Sequence, residues 1–244
     1  QNRVWGSGPH DVFTVGDAPV GEGATMCHFN GTSWSSRDVG TTSWLQSIWG
    51  NAPRDIWAVG NDGFIAHFDG VYWTPLVTQA MGFFTGVWGT SLDDVYVIEY
   101  SGSILHLSGR RWSRTTSGTA VHFNGVWSAG PEDYIVVGRS GTIRRYQSGT
   151  WTSMNSGTTE ELKGVWGSGV DDIVNVGTTG TILHYNGSAW SPMVSGTSEA
   201  LNAVWGSGPA DIFAAGASGT ILRYNGSAWS PMVSGTSEAL NAVW

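Results

Sequence analysis

The sequence predicts an all-β chain, a six-bladed β-propeller of four-stranded antiparallel blades. Three observations predict it. Tryptophan columns recur every 39 residues, each repeat reads as four short strands, and no segment carries a helical period.

The first column is a β-branched residue followed by Trp, at Trp5, Trp49, Trp88, Trp127, Trp166, Trp205 and Trp244. Its gaps are 44 residues once and 39 thereafter. A second column, Trp34, Trp73, Trp112, Trp151, Trp190 and Trp229, keeps a 39-residue gap throughout. The longer first gap is read as a five-residue insertion around Ala18–Gly23, because the columns on either side stay in register. Tyr185–Trp205 recurs letter for letter as Tyr224–Trp244, the mark of a recent duplication.

The second repeat shows the strands. Strand A is Leu45–Trp49, followed by the loop Gly50-Asn51-Ala52-Pro53-Arg54. Strand B is Asp55–Val59, and the turn Gly60-Asn61-Asp62-Gly63 leads to strand C, Phe64–Phe68. Asp69-Gly70 is a two-residue hairpin needing positive φ, and strand D is Val71–Leu76. One such sheet exposes both faces and cannot stand alone; stacking against neighbours buries them and leaves only short edges. The expected organisation is a single propeller domain over 1–244, with repeats at about 5–48, 49–87, 88–126, 127–165, 166–204 and 205–244. Full burial of one Trp contributes ~4–6 kcal/mol as an upper bound, so two per repeat dominate the cohesion. Strand A occurs seven times, since Asn2–Trp5 and Asn241–Trp244 are equivalent, and six blades have six such slots. One terminal copy is therefore expected to be displaced, unless the chain is cut from a larger array.

Composition narrows the functions. Charged residues are 12% of the 244, about half the usual share, and Gly (36) and Trp (15) take their place. The net charge of −8 would repel a duplex or an anionic membrane, so no nucleic-acid partner is expected. No apolar run is long enough for membrane insertion. Cys27 is alone and is expected to be a buried free thiol. The Asn-Gly-Ser/Thr triplets at Asn30, Asn186 and Asn225 are accounted for as hairpin turns.

Two columns are candidates for chemistry. Asp begins every strand B (Asp11, Asp55, Asp94, Asp133, Asp172, Asp211), and a donor ends every strand C (His28, His67, His106, Arg145, His184, Arg223). A ring of acid–base or metal sites is one reading. The other is a structural network fixing blade geometry, with Asp55 and His67, Asp94 and His106, and Asp172 and His184 as pairs. Arg replaces His twice and neither ligates metals nor acts as a base near neutral pH, which favours the structural reading. No catalytic residues, metal or cofactor are expected, since zinc spacing, a phosphate loop and an isolated triad are all missing from the sequence. The strand-D column (Trp34, Trp73, Trp112, Trp151, Trp190, Trp229) serves either as sugar-stacking platforms or as inter-blade packing. Loops such as Gly180 and Ser195-Gly196-Thr197 share one rim, where small polar groups suit hydroxylated ligands. Arg110, Arg111, Arg114, Arg139, Arg144 and Arg145 concentrate positive charge in the third and fourth repeats. The third also carries Glu99-Tyr100 where Gly and a polar residue are usual.

The repeat Trp-x5-Gly-x4-Leu-x2-Val-Trp-Gly-Ser-Gly-x2-Asp-Ile-x-Ala-x-Gly-x2-Gly-Thr-Ile-x-Arg/His-Tyr-Asn-Gly-x2-Trp resembles the tectonin-type propeller repeat, most closely over Trp151–Trp244. The resemblance implies a six-bladed lectin or a protein-interaction module. The first expectation is accordingly a non-catalytic, multivalent lectin with carbohydrate sites between blades, secreted or at a cell surface. The alternative is a protein-interaction scaffold, part of a larger surface or secreted protein. A hydrolase of the sialidase sort comes last, because the Arg cluster is not visibly centred.

Overall fold

A computed structural model describes residues 3–17, 24–76 and 82–244, and the insertion around Ala18–Gly23 lies outside these. They fall into two compact units, residues 1–120 and 121–244. Each unit holds three four-stranded sheets, and every sheet is antiparallel with its strands in sequence order. These are the six blades of the predicted β-propeller class.

In the first unit, blade one is β1 (Arg3–Gly8), β2 (Asp11–Asp17), β3 (Ala24–Phe29) and β4 (Trp34–Ser36). Blade two is β5 (Leu45–Ala52), β6 (Asp55–Gly60), β7 (Ile65–Phe68) and β8 (Trp73–Leu76). Blade three is β9 (Phe84–Ser91), β10 (Asp94–Glu99), β11 (Ser103–Ser108) and β12 (Arg111–Thr116). In the second unit, blade four is β13 (Phe123–Gly130), β14 (Asp133–Gly138), β15 (Ile143–Gln147) and β16 (Thr150–Met154). Blade five is β17 (Leu162–Gly169), β18 (Asp172–Gly177), β19 (Ile182–Tyr185) and β20 (Trp190–Pro192). Blade six is β21 (Leu201–Gly208), β22 (Asp211–Gly216), β23 (Ile221–Tyr224) and β24 (Trp229–Met232). Strand A runs three residues past Trp49, to Ala52, so the expected A–B loop shrinks to Pro53-Arg54. The turn after strand B is a single 3-10 turn, Asn61–Gly63, with Asp62 at φ 57°.

Within each unit, strand A of one blade packs on strands A and B of the blade before it: β5 on β1 and β2, β9 on β5 and β6, β17 on β13 and β14, β21 on β17 and β18. The close contact is made by the two residues of the repeated Trp-Gly. A Cβ added to Gly50 would lie 2.6 Å from the Trp5 ring, and one on Gly89 2.6 Å from Trp49. The same Cβ would be 2.8 Å from Trp127 at Gly167 and 2.8 Å from Trp166 at Gly206. The indole of one blade thus lies against the bare backbone of the next. Trp5, Trp49, Trp127 and Trp166 are all buried there.

The terminal copies of strand A have different fates. The N-terminal copy is β1, paired to β2 in blade one. The C-terminal copy, Leu240–Trp244, forms no strand and lies against β21. Asn202 Nδ2 donates to Leu240 O at 3.1 Å, as Asn124 Nδ2 donates to Leu162 O at 2.9 Å. Trp244 stands 6.2 Å from Trp205, much as Trp88 stands 6.1 Å from Trp49. Cys27, expected to be buried, is partly exposed, because β4 beside it is only three residues long.

One core position departs from the apolar rule. Asn175 is 0% exposed in β18, and neither side-chain polar atom has a hydrogen-bond partner among the described residues. The equivalent positions include Ala58, Val97, Val136 and Ala214. An unpartnered buried amide costs roughly 1–3 kcal/mol. Asn175→Val is therefore expected to stabilise the chain by about that amount, read as a higher urea midpoint at unchanged slope. Gly89→Ala is expected to destabilise it by about 1–3 kcal/mol in the same measurement, through the clash with Trp49.

Candidate functional site

The Asp column and the donor column meet in all six blades, because strands B and C place them two registers apart on one face. His28, His67, His106 and His184 bring Nε2 to Asp11, Asp55, Asp94 and Asp172 at 2.6, 2.8, 2.7 and 2.6 Å. Arg145 holds Asp133 through two bonds of 2.8 Å, and Arg223 Nε donates to Asp211 at 2.8 Å. In four blades the other carboxylate oxygen accepts from a hydroxyl at the end of strand A: Ser7 to Asp11 at 2.5 Å, Ser207 to Asp211 at 2.7 Å, and likewise Thr90 to Asp94 and Ser168 to Asp172. The hydroxyl and the imidazole therefore sit on the same carboxylate rather than on each other. A nucleophile needs its hydroxyl bonded to the base, and this order does not supply it.

Burial alone would raise the Asp94 carboxyl, but hydrogen bonds from His106, Thr90 and Tyr96 outweigh it and leave the group below its ordinary value. Asp211 is also lowered, chiefly by Ser207 and then by Arg223. Among the described residues no three His, Cys, Asp or Glu side chains are grouped to hold a metal ion. Nor, among the described residues, is any helix long and apolar enough to cross a membrane.

The strand-D tryptophans divide. Trp190 and Trp229 are buried, Trp73, Trp112 and Trp151 are half-buried, and Trp34 is 53% exposed. Trp73 meets Phe13 of the preceding blade edge-on at 6.4 Å, and Trp112 meets Trp57 at 5.8 Å. The indole N–H groups of Trp73, Trp151, Trp190 and Trp229 are buried without an acceptor among the described residues. Apolar area therefore holds this column in place. The rim hydroxyls are also engaged internally: Ser195 Oγ donates to Thr197 O at 3.1 Å, and Ser117 Oγ to Gly102 O at 2.7 Å.

Of the arginines singled out above, Arg114 pairs with Glu99 at 2.5 Å, Arg139 with Glu161 at 3.3 Å, and Arg145 with Asp133. Glu99 is 2% exposed and fills the space beside Gly82, which explains a carboxylate where the repeat has glycine.

What sequence reasoning missed is a cleft of about 600 Å³ between blades one and two. Phe13, Phe68 and Trp73 form its apolar wall, with Phe68 and Trp73 stacked at 5.2 Å and Phe13 and Phe68 at 6.0 Å. Tyr72 and Val71, 71% and 69% exposed, stand at its edge. Arg37, Arg54, Asp38 and His28 also line it. Arg37 Nη2 donates to His28 Nδ1 at 3.1 Å, while His28 Nε2 turns to Asp11. Asp38 Oδ1 accepts from the Gly40 N–H at 2.8 Å. The signal was present as departures from the repeat. Arg37 stands where later repeats have Leu76, Thr115, Met154, Met193 and Met232, and Arg54 where they have Asp93, Glu132, Asp171 and Ala210.

Six four-stranded antiparallel blades of this topology make the chain a six-bladed β-propeller. Three solved structures are similar to it. YCF48 bound to D1 peptide aligns at TM-score 0.73 and 18% identity, covering 95% of this chain and 82% of that one. YCF48 from Cyanidioschyzon merolae aligns at TM-score 0.73 and 14% identity, over 98% and 86%. The WD40 β-propeller domain of Doa1 aligns at TM-score 0.79 and 12% identity, over 95% and 81%. Identities this low establish the fold. No known family profile matches the sequence, and no curated protein does. The tectonin resemblance therefore reduces to the propeller fold itself.

Because Asp94 is held below its unfolded value, its contribution to stability is complete above about pH 3.9 and is lost as pH falls through the folded value. Asp94→Asn is expected to destabilise the chain by about 1–3 kcal/mol at pH 7. It should also shrink the stability difference between pH 6 and pH 3, measured by urea unfolding at each pH.

Proposed function

We propose that this propeller is a non-catalytic protein-interaction scaffold whose partner lays an extended segment in the cleft between blades one and two. The observation that carries the reading is that cleft, with Val71 and Tyr72 exposed beside it and Phe68 and Trp73 within it. Exposed aromatic side chains around a concave, mostly preformed site are the usual anchors of binding surfaces. That a protein of the same fold, YCF48, is bound to a peptide lends support. The lectin reading has less behind it: five of the six strand-D rings are covered wholly or in part, leaving little face for a sugar.

A panel of unstructured peptides printed beside a panel of glycans separates the two. A subset of peptides is expected to bind, with at least tenfold weakening in the exposed-surface variant Val71→Ser/Tyr72→Ser and no glycan retained. Glycan binding without peptide binding would overturn the scaffold reading.

A further inference from the structure

We infer that the cleft selects acidic peptides, segments in which a carboxylate lies next to an apolar side chain, and that Arg37 is the residue that opens it. The inference rests on the scaffold reading and adds the chemistry of the partner.

The first part of the argument concerns why a cleft exists here. Between blades two and three, Leu76 packs against the interface core with Trp57 and Trp112. Between blades five and six, Met193 does the same beside Val174 and Trp229. Each plug is the third residue after a strand-D Trp. In blade one that position is Arg37. A guanidinium does not enter an apolar slot, and this one turns to His28 Nδ1 instead. The space that a leucine or methionine fills elsewhere stays open over Phe13, Phe68 and Trp73.

The second part concerns charge. Arg114, Arg139, Arg145 and Arg223 all have carboxylate partners. Arg37 and Arg54 have none among the described residues, although the chain carries 19 Asp and Glu. The two carboxylates in the cleft are engaged, Asp11 by Ser7 and His28 and Asp38 by the Gly40 N–H. The stem carbons of Arg54 lie against Gly70, where an added Cβ would be 2.4 Å from Cγ. Two guanidiniums with donors to spare match carboxylates in bidentate fashion. Arg110, Arg111 and Arg144 also lack a carboxylate partner among the described residues, but they do not line this cleft, where the two guanidiniums stand over an apolar wall; charge and apolar contact together give the selectivity, against a net charge of −8 overall.

The test uses fluorescein-labelled seven-residue peptides in three matched sets: Asp/Glu flanking Leu, Phe or Trp, the same peptides with Asn/Gln, and the same with Lys. Anisotropy is read at low and high salt. The acidic set is expected to bind at least tenfold tighter than either other set, and to weaken as salt rises. Arg37→Met introduces the side chain by which Met193 plugs the slot between blades five and six, and is expected to keep the circular-dichroism spectrum and thermal midpoint while weakening binding at least tenfold. Arg54→Asp, the third repeat's residue type, should weaken it similarly. Acidic-peptide binding that survives both substitutions overturns the inference, as does displacement of the peptide by inorganic phosphate at matched ionic strength. If the neutral or basic set binds instead, and Tyr72→Ser abolishes it, the scaffold reading stands and the acidic selectivity falls. If no set binds, both fall.

Discussion

Everything in this fold depends on how closely one blade can approach the next. The indole of Trp5 lies where a Cβ on Gly50 would be, and the same holds for Trp49 on Gly89, Trp127 on Gly167 and Trp166 on Gly206. The glycine is required for space, since none of the four has positive φ. In blades two and five the Trp-Gly pair is therefore two half-contacts: Trp49 and Trp166 serve the following blade, and Gly50 and Gly167 receive the preceding one; the fourth repeat has Ser128 in place of the Gly. A flat ring against bare backbone maximises buried apolar area with little side-chain ordering. The contact also has a direction: within each unit the earlier blade gives the indole and the later one receives it.

With that contact fixing the faces, the remaining positions have separate tasks. In blades one, three, five and six the Asp gathers a hydroxyl from the end of strand A and a nitrogen from strand C onto one carboxylate, which ties three strands at one end of the blade. His and Arg both serve because each offers an N–H at the right place; the chemistry asked of them is donation. Residues just after the strand-D Trp seal the slot between blades, and there one substitution changes the surface more than the fold.

The architecture was legible because its cause is periodic. Columns at 39-residue spacing and the alternating strands locate all 24 described strands within a few residues, although the expected two-residue hairpin at Asp69-Gly70 is a four-residue loop, Asp69–Tyr72, in which Gly70 but not Asp69 has positive φ. The pairing of Asp with His or Arg was legible too, since both columns lie on one hairpin. The role of Gly50 and Gly89 was hidden, because their partners are more than 39 residues earlier in sequence and a glycine after Trp reads as an ordinary turn former. The cleft was hidden for a different reason: it is a missing side chain, and a repeat scan rewards what recurs. The arginines of the third and fourth repeats cluster in the sequence, and three of the six pair with carboxylates, while Arg37 and Arg54 stand singly in the first and second repeats.

Two stretches of this chain have identical lettering, Tyr185–Trp205 and Tyr224–Trp244. Their local geometry is the same: Tyr185 and Trp190, like Tyr224 and Trp229, lie 5.3 Å apart at 37°. Their endings differ, for Leu201–Gly208 is a strand and Leu240–Trp244 is not. An isolated copy thus contains no instruction about which berth to occupy; that is decided by whichever neighbour reaches it. A chain refolding from denaturant can seat the later copy in the earlier one's place, a slip of one whole repeat that satisfies every short-range preference and strands a blade's worth of sequence outside. Misassembly of this kind is the hazard that accompanies recent duplication, and it weighs most on the two identical stretches.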